Sequence, residues 1–349
     1  MSMIYKLDPL GDPRWQALVD RHPNASVFHT SGWLEAVRRT YGYKPVVFTT
    51  SSPTHELRNG LLFCRIRNWL AGRRMVSLPL SDSCEPLCDS DEFEMLLHYL
   101  QSAFDHQDWK CLQVRLFDGH FLSEVKTAGF SMKDKRVIHS LNLQSLRSDF
   151  FESFHQDSVQ HQVQGIGWPG FVERVGKSER LLNDFYGLYL LNRQQQRVPS
   201  QPYKWFQNVL QCMNECLEIR TAYKNDIPIA SALTLRFRNT VYYKYGCANA
   251  QFNRLGAMPF LLWRAMCEAK SNGATRFDLG RIELDNAELV AFKNKWASQA
   301  QTLTYWEFPS SLAESVPSDW KAKILKGVFS LMSDRMLTAT GRFLSPFID

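Results

Sequence analysis

The chain has 349 residues, of which 44% are hydrophobic, 22% charged and 13% aromatic, with 10 Trp and 23 Phe. That balance excludes a disordered or fibrous chain and allows two domains of ordinary size with ring-rich cores. A net charge of +6, with no Lys/Arg tract denser than Arg73–Arg74 and the Lys133–Arg136 run, is compatible with anionic ligands but excludes the profile of a DNA-binding module.

In chain order, the first half reads as an α/β unit. "SGWLEAVRRTYGY" predicts a helix with Ser31 as N-cap and Trp33, Leu34, Val37 and Tyr41 on one face. "KPVVFTT" is β-branched and predicts a strand, and "RNGLLFCRIR" opens on the turn signal Asn59–Gly60 and becomes another. "RRMVSLPLSDSCEPLC" predicts a strand followed by an irregular loop, "EFEMLLHYLQSAFDH" a helix, and "WKCLQVRLF" and "RVIHSLNLQ" two strands.

A boundary is expected near 145–155, dividing an N-terminal domain (1–148) from a C-terminal one (149–316). The second opens on a helix, "FFESFHQDSVQHQV", and a short strand, "GFVERV". A long helix then runs from Glu179 to about Arg197, with Leu181, Leu182, Phe185, Leu188, Tyr189 and Asn192 spaced along it. "YKWFQNVLQCM" predicts another helix. Three antiparallel strands follow, turning at Asn225–Asp226 and near Asn239. The helix "MPFLLWRAMCEAKSNG", capped by Gly273, the strand "TRFDLGRI", the helix "NAELVAFKNKWA" and the strand "TLTYWEF" complete the domain. Residues 317–349 predict an amphipathic helix with a Trp320, Ile324, Val328, Met332 stripe beside Lys321, Lys323 and Lys326. Such a stripe is expected to dock on the body, with peripheral contact to an anionic membrane as the alternative. The fold class expected is α/β (α+β), with mixed, mostly antiparallel sheets flanked by helices.

The run "YYKYGCANAQFNRLGAMPFLLWRAMCEAKSNGATRFDLGR", followed by "ELVAFKNKWASQAQTLTYWEF", resembles the Fem-type peptidyltransferases and other FemAB-like acyltransferases of the GNAT superfamily. "HTSGWLEAVRRTYGYKPVVF", "LPLSDSCEPL" and "FYGLYLLNRQQQRVPSQPYKWF" extend the resemblance over roughly Trp15 to Phe308. It implies two tandem GNAT-like domains with a cleft between them. It also implies transfer of an acyl or aminoacyl group from an activated ester or thioester to an amine. The best-known members use aminoacyl-tRNA to extend the peptide of a cell-wall precursor.

Acyl transfer to an amine needs a neutral amine, a stabilised oxyanion and a route for one proton. No covalent nucleophile is required, and the chain has no Gly-x-Ser-x-Gly elbow. The resemblance points to Phe292–Lys293, where the ammonium would steady the oxyanion and Phe292 would contact the donor. Asp278 and Arg281 stand at the end of a strand beside Gly280: Asp278 is a candidate catalytic residue and Arg281 could face an anionic ligand, or the two could form a structural pair that fixes the turn. Strand alternation sends Tyr243 and Tyr245 to one face and Lys244 to the other, one of which would line the donor groove. Gln251-x-x-Arg254-x-Gly256 stands where GNAT enzymes carry their pyrophosphate loop, with Arg254 in place of the middle glycine, which weakens the case for ordinary coenzyme A binding there. Asp82 and Glu85, in the first domain's loop, are candidates to receive the acceptor amine. A nucleophilic Cys84 would need a partnered His, for which His29 and His139 are available. The C-x3-C spacings at Cys84/Cys88 and Cys212/Cys216 lack a supporting His, and no metal is expected. The Gln-rich "DSVQHQVQGIGWPG" stands where relatives carry a basic run, which argues against a large polyanionic donor held by that helix.

Three functions follow, in order: acyl- or aminoacyl-transfer to an amine-bearing acceptor such as an envelope or exopolysaccharide precursor; small-molecule N-acyltransfer from acyl-CoA or acyl carrier protein; and non-catalytic binding on the same fold. No permanently bound cofactor is expected, the donor being a co-substrate. No ~18-residue apolar stretch and no apolar leader core occur, so the eight cysteines are expected to be reduced thiols in a cytoplasmic protein, possible inner-membrane contact aside.

Overall fold

The computed structural model describes residues 3–68, 72–104, 106, 109–144, 171–283 and 299–309. The helices expected at 150–163, 286–297 and 317–349 lie outside these residues. The chain divides into two compact units inside a single strand, between Arg136 and Val137.

In the first unit β1 (Tyr5–Leu7), β2 (Lys44–Thr49), β3 (Leu61–Asn68) and β4 (Gly72–Val76) pair antiparallel in that order. β5 (Cys111–Phe117) then joins β4 in parallel. The crossover between them is α3 (Ser90–Phe104), which follows α1 (Pro13–Arg21) and α2 (Ser31–Tyr41) and precedes α4 (Leu122–Thr127). Phe93, Leu96, Leu97, Leu100 and Phe104 of α3 bury their face against Val46, Phe63, Met75, Leu112 and Val114 of the sheet. The cap of α2 is Thr30 rather than Ser31: its hydroxyl accepts the Trp33 N–H, and Gly42, at φ 72°, ends the helix.

The chain returns to this unit at its end. β12 (Gln299–Phe308), expected within the C-terminal domain, pairs antiparallel with β5 from Leu303 opposite Phe117 to Phe308 opposite Leu112. The Thr304 hydroxyl donates to Leu116 O (3.0 Å), and the Asp118 N–H to Thr302 O (2.8 Å). Residues Gln301–Pro309 accordingly belong to the first unit, and the division between the units falls inside β6 (Ser131–Asn142).

The second unit carries β7 (Val172–Gly176), β8 (Leu217–Lys224), β9 (Ile227–Phe237) and β10 (Thr240–Ala248) as an antiparallel run, with β11 (Arg276–Glu283) added in parallel to β10. The β8–β9 turn places Asn225 and Asp226 both at positive φ (50° and 61°), the conformation that a two-residue hairpin demands and these residues tolerate. α5 (Glu179–Gln195) starts on Ser178, whose hydroxyl accepts the Leu181 N–H, and buries Leu181, Leu182, Phe185, Leu188 and Tyr189 as its periodicity requires. α6 (Tyr203–Cys212) follows. α7 (Ala257–Ser271) connects β10 to β11 and packs Leu262, Ala265 and Met266 on Val241, Phe277 and Leu279. Gly273, at φ 80°, ends it. Among the described residues no helix is long and apolar enough to cross a membrane. Both units are mixed, mostly antiparallel sheets flanked by helices, as expected.

Candidate active site

The second unit builds its site from β10, the turn after it, and α7. Tyr243 stands opposite Thr234 and Tyr245 opposite Leu233, so Lys244 is an extra residue, a β-bulge. One extra residue reverses the alternation beyond it. Tyr243 packs with the α7 cluster around Leu262 and Met266. Tyr245 instead meets Phe185 and Tyr189 of α5 and Phe206 of α6, at centroid distances of 5.1–6.4 Å. The expectation that the two tyrosines share a face is therefore corrected: they lie on opposite faces because the bulge shifts the parity. Lys244 goes with Tyr245, its Nζ 5.5 Å from that ring's centroid.

The bulge sits where β10 and β11 stop pairing. Their parallel register runs from Thr240 opposite Arg276 to Tyr242 opposite Asp278, and the extra residue follows two positions later. Gly246 is required here by space. A Cβ at Gly246 would fall 1.6 Å from the Tyr243 hydroxyl oxygen and 2.5 Å from Cζ. Gly246→Ala is expected to destabilise by about 1–3 kcal/mol through overpacking. Gly187→Ala, on an exposed turn of α5 with open space around it, should stabilise by roughly 0.5–1 kcal/mol. Denaturant midpoints of the two variants moving in the same direction would refute this reading.

Beyond the bulge, Asn192 of α5 grips the end of β10: its Nδ2 donates to Ala248 O (3.0 Å) and its Oδ1 accepts the Ala248 N–H (2.8 Å). Sequence reasoning placed Asn192 on an apolar stripe without assigning it this task; an amide on such a stripe was the available signal. A 3-10 turn, Ala250–Leu255, then leads to Gly256 at φ 64°, where α7 begins. Arg254 is exposed and is not among the left-handed residues, so the turn accepts a side chain there. Only Gly256 needs glycine's freedom. The first turn of α7 directs backbone N–H groups outward, although Pro259 contributes none.

A hydrogen-bonded aromatic cluster fixes the bulge from the α5–α6 side. Tyr245 Oη accepts from Trp205 Nε1 (2.9 Å) and donates to Gln201 Oε1 (3.0 Å). The backbone of Gln201 accepts from the Tyr186 hydroxyl (3.2 Å) and donates to that of Tyr189 (3.1 Å). Burial pushes the hydroxyls of Tyr186 (to about 12) and Tyr243 upward, so both stay protonated at neutral pH.

On β11, Asp278 is buried and its Oδ1 accepts the Gly280 N–H (2.7 Å), holding Gly280 at φ 76°. That bond gives Asp278 a structural task where the pairing of β11 with β10 ends. Arg281 lies half-buried on the same strand. Phe292 and Lys293 lie outside the described residues.

The first unit holds a separate polar cluster in the Ser77–Cys88 stretch, which is buried throughout. Leu78 and Leu80 both sit at positive φ (63° and 66°), strain that only close packing maintains. Glu85, 6% exposed, has both oxygens engaged: Oε1 accepts the Phe117 N–H (2.6 Å), and Oε2 lies 3.0 Å from Nδ1 of the half-exposed His120. Desolvation raises the Glu85 carboxyl, against the opposing effect of those two donors. Asp82 is buried in the same stretch.

His29 does meet Cys84, with Nε2 3.7 Å from Sγ. The pair is nevertheless the wrong way round for catalysis. His29 Nδ1 accepts the backbone N–H of Ser26 (3.1 Å), so the ring proton is on Nε2, which donates to Glu85 O (3.0 Å). Nε2 has no lone pair to take a thiol proton, and burial pushes the Cys84 thiol up to about 12. Among the described residues no group of three His, Cys, Asp or Glu side chains is arranged to hold a metal ion.

A strand interrupted by a bulge, a turn closing on a left-handed glycine, a helix and a parallel strand make up a GNAT-fold unit. Residues 147–293 match the acetyltransferase (GNAT) domain family. Among solved structures, FemX superposes with a TM-score of 0.65 at 14% identity, covering 86% of this chain and 96% of that one. The C-terminal domain of a putative lysylphosphatidylglycerol synthetase from Agrobacterium fabrum gives 0.58 at 13% identity, covering 86% and 92%. A tandem GNAT protein from the clavulanic acid biosynthesis pathway gives 0.56 at 9% identity, covering 87% and 97%. No curated relative matches the chain. The chain thus has the tandem GNAT fold that the resemblance implied, and residues 147–293 are similar to the acetyltransferase (GNAT) domain family.

Proposed function

We propose that the protein joins an acyl or aminoacyl group, carried as an activated ester or thioester, to the amine of an acceptor, forming an amide. The observation that carries this reading is the bulge of β10 at Lys244 followed by the Gly256 turn and α7, within the region that matches the GNAT family. The acceptor amine attacks the donor carbonyl in its neutral form, and the donor's oxygen or sulfur departs with the electron pair of the broken bond and takes up the proton that the nitrogen gives up. Lys293 is assigned to the oxyanion, Phe292 to donor contact, and Lys244, Tyr245 and Arg281 to lining the site, while Tyr243, on the opposite face, packs against α7. Asp278 acts by shaping β11 through Gly280 where its pairing with β10 ends. Asp82 and Glu85 are assigned to the acceptor side; since Glu85 is already bonded to Phe117 and His120, its part is to hold the loop that carries Asp82.

FemX and the lysylphosphatidylglycerol synthetase domain as fold neighbours favour an aminoacyl donor, and the acceptor class proposed is an envelope or exopolysaccharide precursor met in the cytoplasm or at the inner membrane. A second reading, small-molecule N-acylation from acyl-CoA or acyl carrier protein, draws support from Gly256 and the exposed cation Arg254 beside the start of α7, a setting suited to phosphate. Thermal shifts with acyl-CoAs and with aminoacyl-tRNA mimics separate the two, because the true donor class stabilises in proportion to its concentration over its Kd. With the donor in hand, Lys293→Ala should lower kcat about 100-fold, the loss typical of one oxyanion donor. An unchanged kcat would remove Lys293 from the mechanism. Absence of turnover with every donor class that binds would favour a non-catalytic binding protein.

A further inference from the structure

We infer that one end of the first unit's sheet is a docking surface for an anionic phospholipid membrane. The register of β2, β3 and β4 carries the inference. Lys44 stands directly opposite Arg65, and Arg67 directly opposite Arg73. Opposed residues share a face, and so do Arg65 and Arg67, two positions apart on β3. Four cations separated by up to 29 positions in the chain thus lie side by side, and all four are exposed. Further along the same face Val46, Phe63 and Met75 are buried beneath α3. Among the described residues none of the four cations forms a salt bridge. Arg74, on the opposite face, is paired with Glu307 (3.1 Å). Lys110, whose N–H donates to Arg73 O and whose side chain runs along Gly72, adds a fifth cation at the rim.

Like charges placed directly across a hairpin oppose its folding, so the Arg67–Arg73 pair works against the unit until an anionic partner arrives. Three of the four are guanidinium groups, whose forked N–H donors match phosphate oxygens. The partner's form follows from the patch's dimensions. Neighbouring strands are about 5 Å apart and alternate residues about 7 Å, so the four cations span only about 10 Å. A nucleic acid held by 6–10 phosphates needs a longer footprint. Among the described residues the rings on this face, Phe48 and Phe63, are buried and offer no platform for bases. A membrane presents its anionic headgroups as a plane, which an exposed sheet face meets without a cleft, and each basic side chain brought near it strengthens binding about fivefold.

The test is co-sedimentation of the full chain with vesicles of phosphatidylcholine alone or mixed with phosphatidylglycerol, at low and raised salt. Binding is expected only to the mixed vesicles, weakening with salt. R65Q/R67Q/R73Q should bind on the order of 100-fold more weakly, with an unchanged or higher Tm. Arg67→Glu alone should raise the Tm, because it turns an opposed like-charge pair into an ion pair. Equal binding to neutral vesicles, no vesicle binding by the native chain, or undiminished binding by the triple variant would overturn the proposal. So would a triple variant that keeps its vesicle affinity but loses affinity for bulk tRNA, which would assign the face to nucleic acid. None of these outcomes bears on transfer to a soluble acceptor, so this inference fails separately from the proposed activity.

Discussion

Arg220→Ala should lower the stability of the second unit by about 3 kcal/mol, seen as a drop in denaturant midpoint. The Arg220 side chain is 3% exposed and touches three carboxylates: Glu173 on β7 (2.6 Å), Glu218 on its own strand β8 (2.7 Å) and Glu268 on α7. Glu173 also accepts from Arg264 (3.2 Å). One guanidinium therefore ties an edge strand, its neighbour and the helix above them. Removing one member of a buried pair costs several kcal/mol because the remaining charges stay in place unneutralised. Here Glu268 is 47% and Glu218 34% exposed, so water relieves part of the loss and the lower end of that range applies. Arg220→Lys keeps the charge but not the fork, and should recover only part of the stability. If Arg220→Ala left the midpoint unmoved, the network would be a surface ornament rather than a tie.

Acidification should weaken the first unit through His29. Burial, the largest cause, depresses this imidazole from 6.5 to about 4 in the folded chain, while its bond to Glu85 O acts in the opposite direction. The unfolded chain therefore binds a proton between about pH 6.5 and 4 that the folded chain refuses. Stability from His29 is complete above pH 6.5 and falls as the pH drops towards 4, by on the order of 3 kcal/mol in all. The bonds at stake join the Val27–His29 turn to the loop that carries Asp82, Cys84 and Glu85. Unfolding free energies of the native chain and of His29→Gln, followed from pH 7 to pH 4.5, provide the check. The native chain should show the steeper dependence, whatever the two absolute stabilities are. Parallel curves would mean that His29 is not the titrating group.

The sequence by itself determined most of the second unit's described elements and several of their local ends. The apolar face of α5 repeats at helical spacing, and those residues are the buried ones. Asn225–Asp226 and Gly273 mark turns because positive φ is a property of a residue and its two neighbours, which a short stretch discloses. Gly256 was legible for the same reason, as the one left-handed residue the loop before α7 requires.

Tertiary structure alone decided what depends on partners distant in the chain. The alternation of Tyr243, Lys244 and Tyr245 is reversed by a bulge that only the pairing with β9 discloses, so the tyrosine faces could not be read from spacing. β12 returns to β5 because its hydrogen-bonding edge is satisfied there, a match between segments almost 200 positions apart. His29 and Cys84 are brought together, but the backbone N–H of Ser26 selects the tautomer, and that bond keeps the pair inert. The cations Lys44, Arg65, Arg67 and Arg73 form no tract in the sequence and become a patch only through strand register. Periodicity and turn chemistry act over a few residues, whereas register, tautomer and charge clustering are properties of contacts, and contacts arise only when the chain folds.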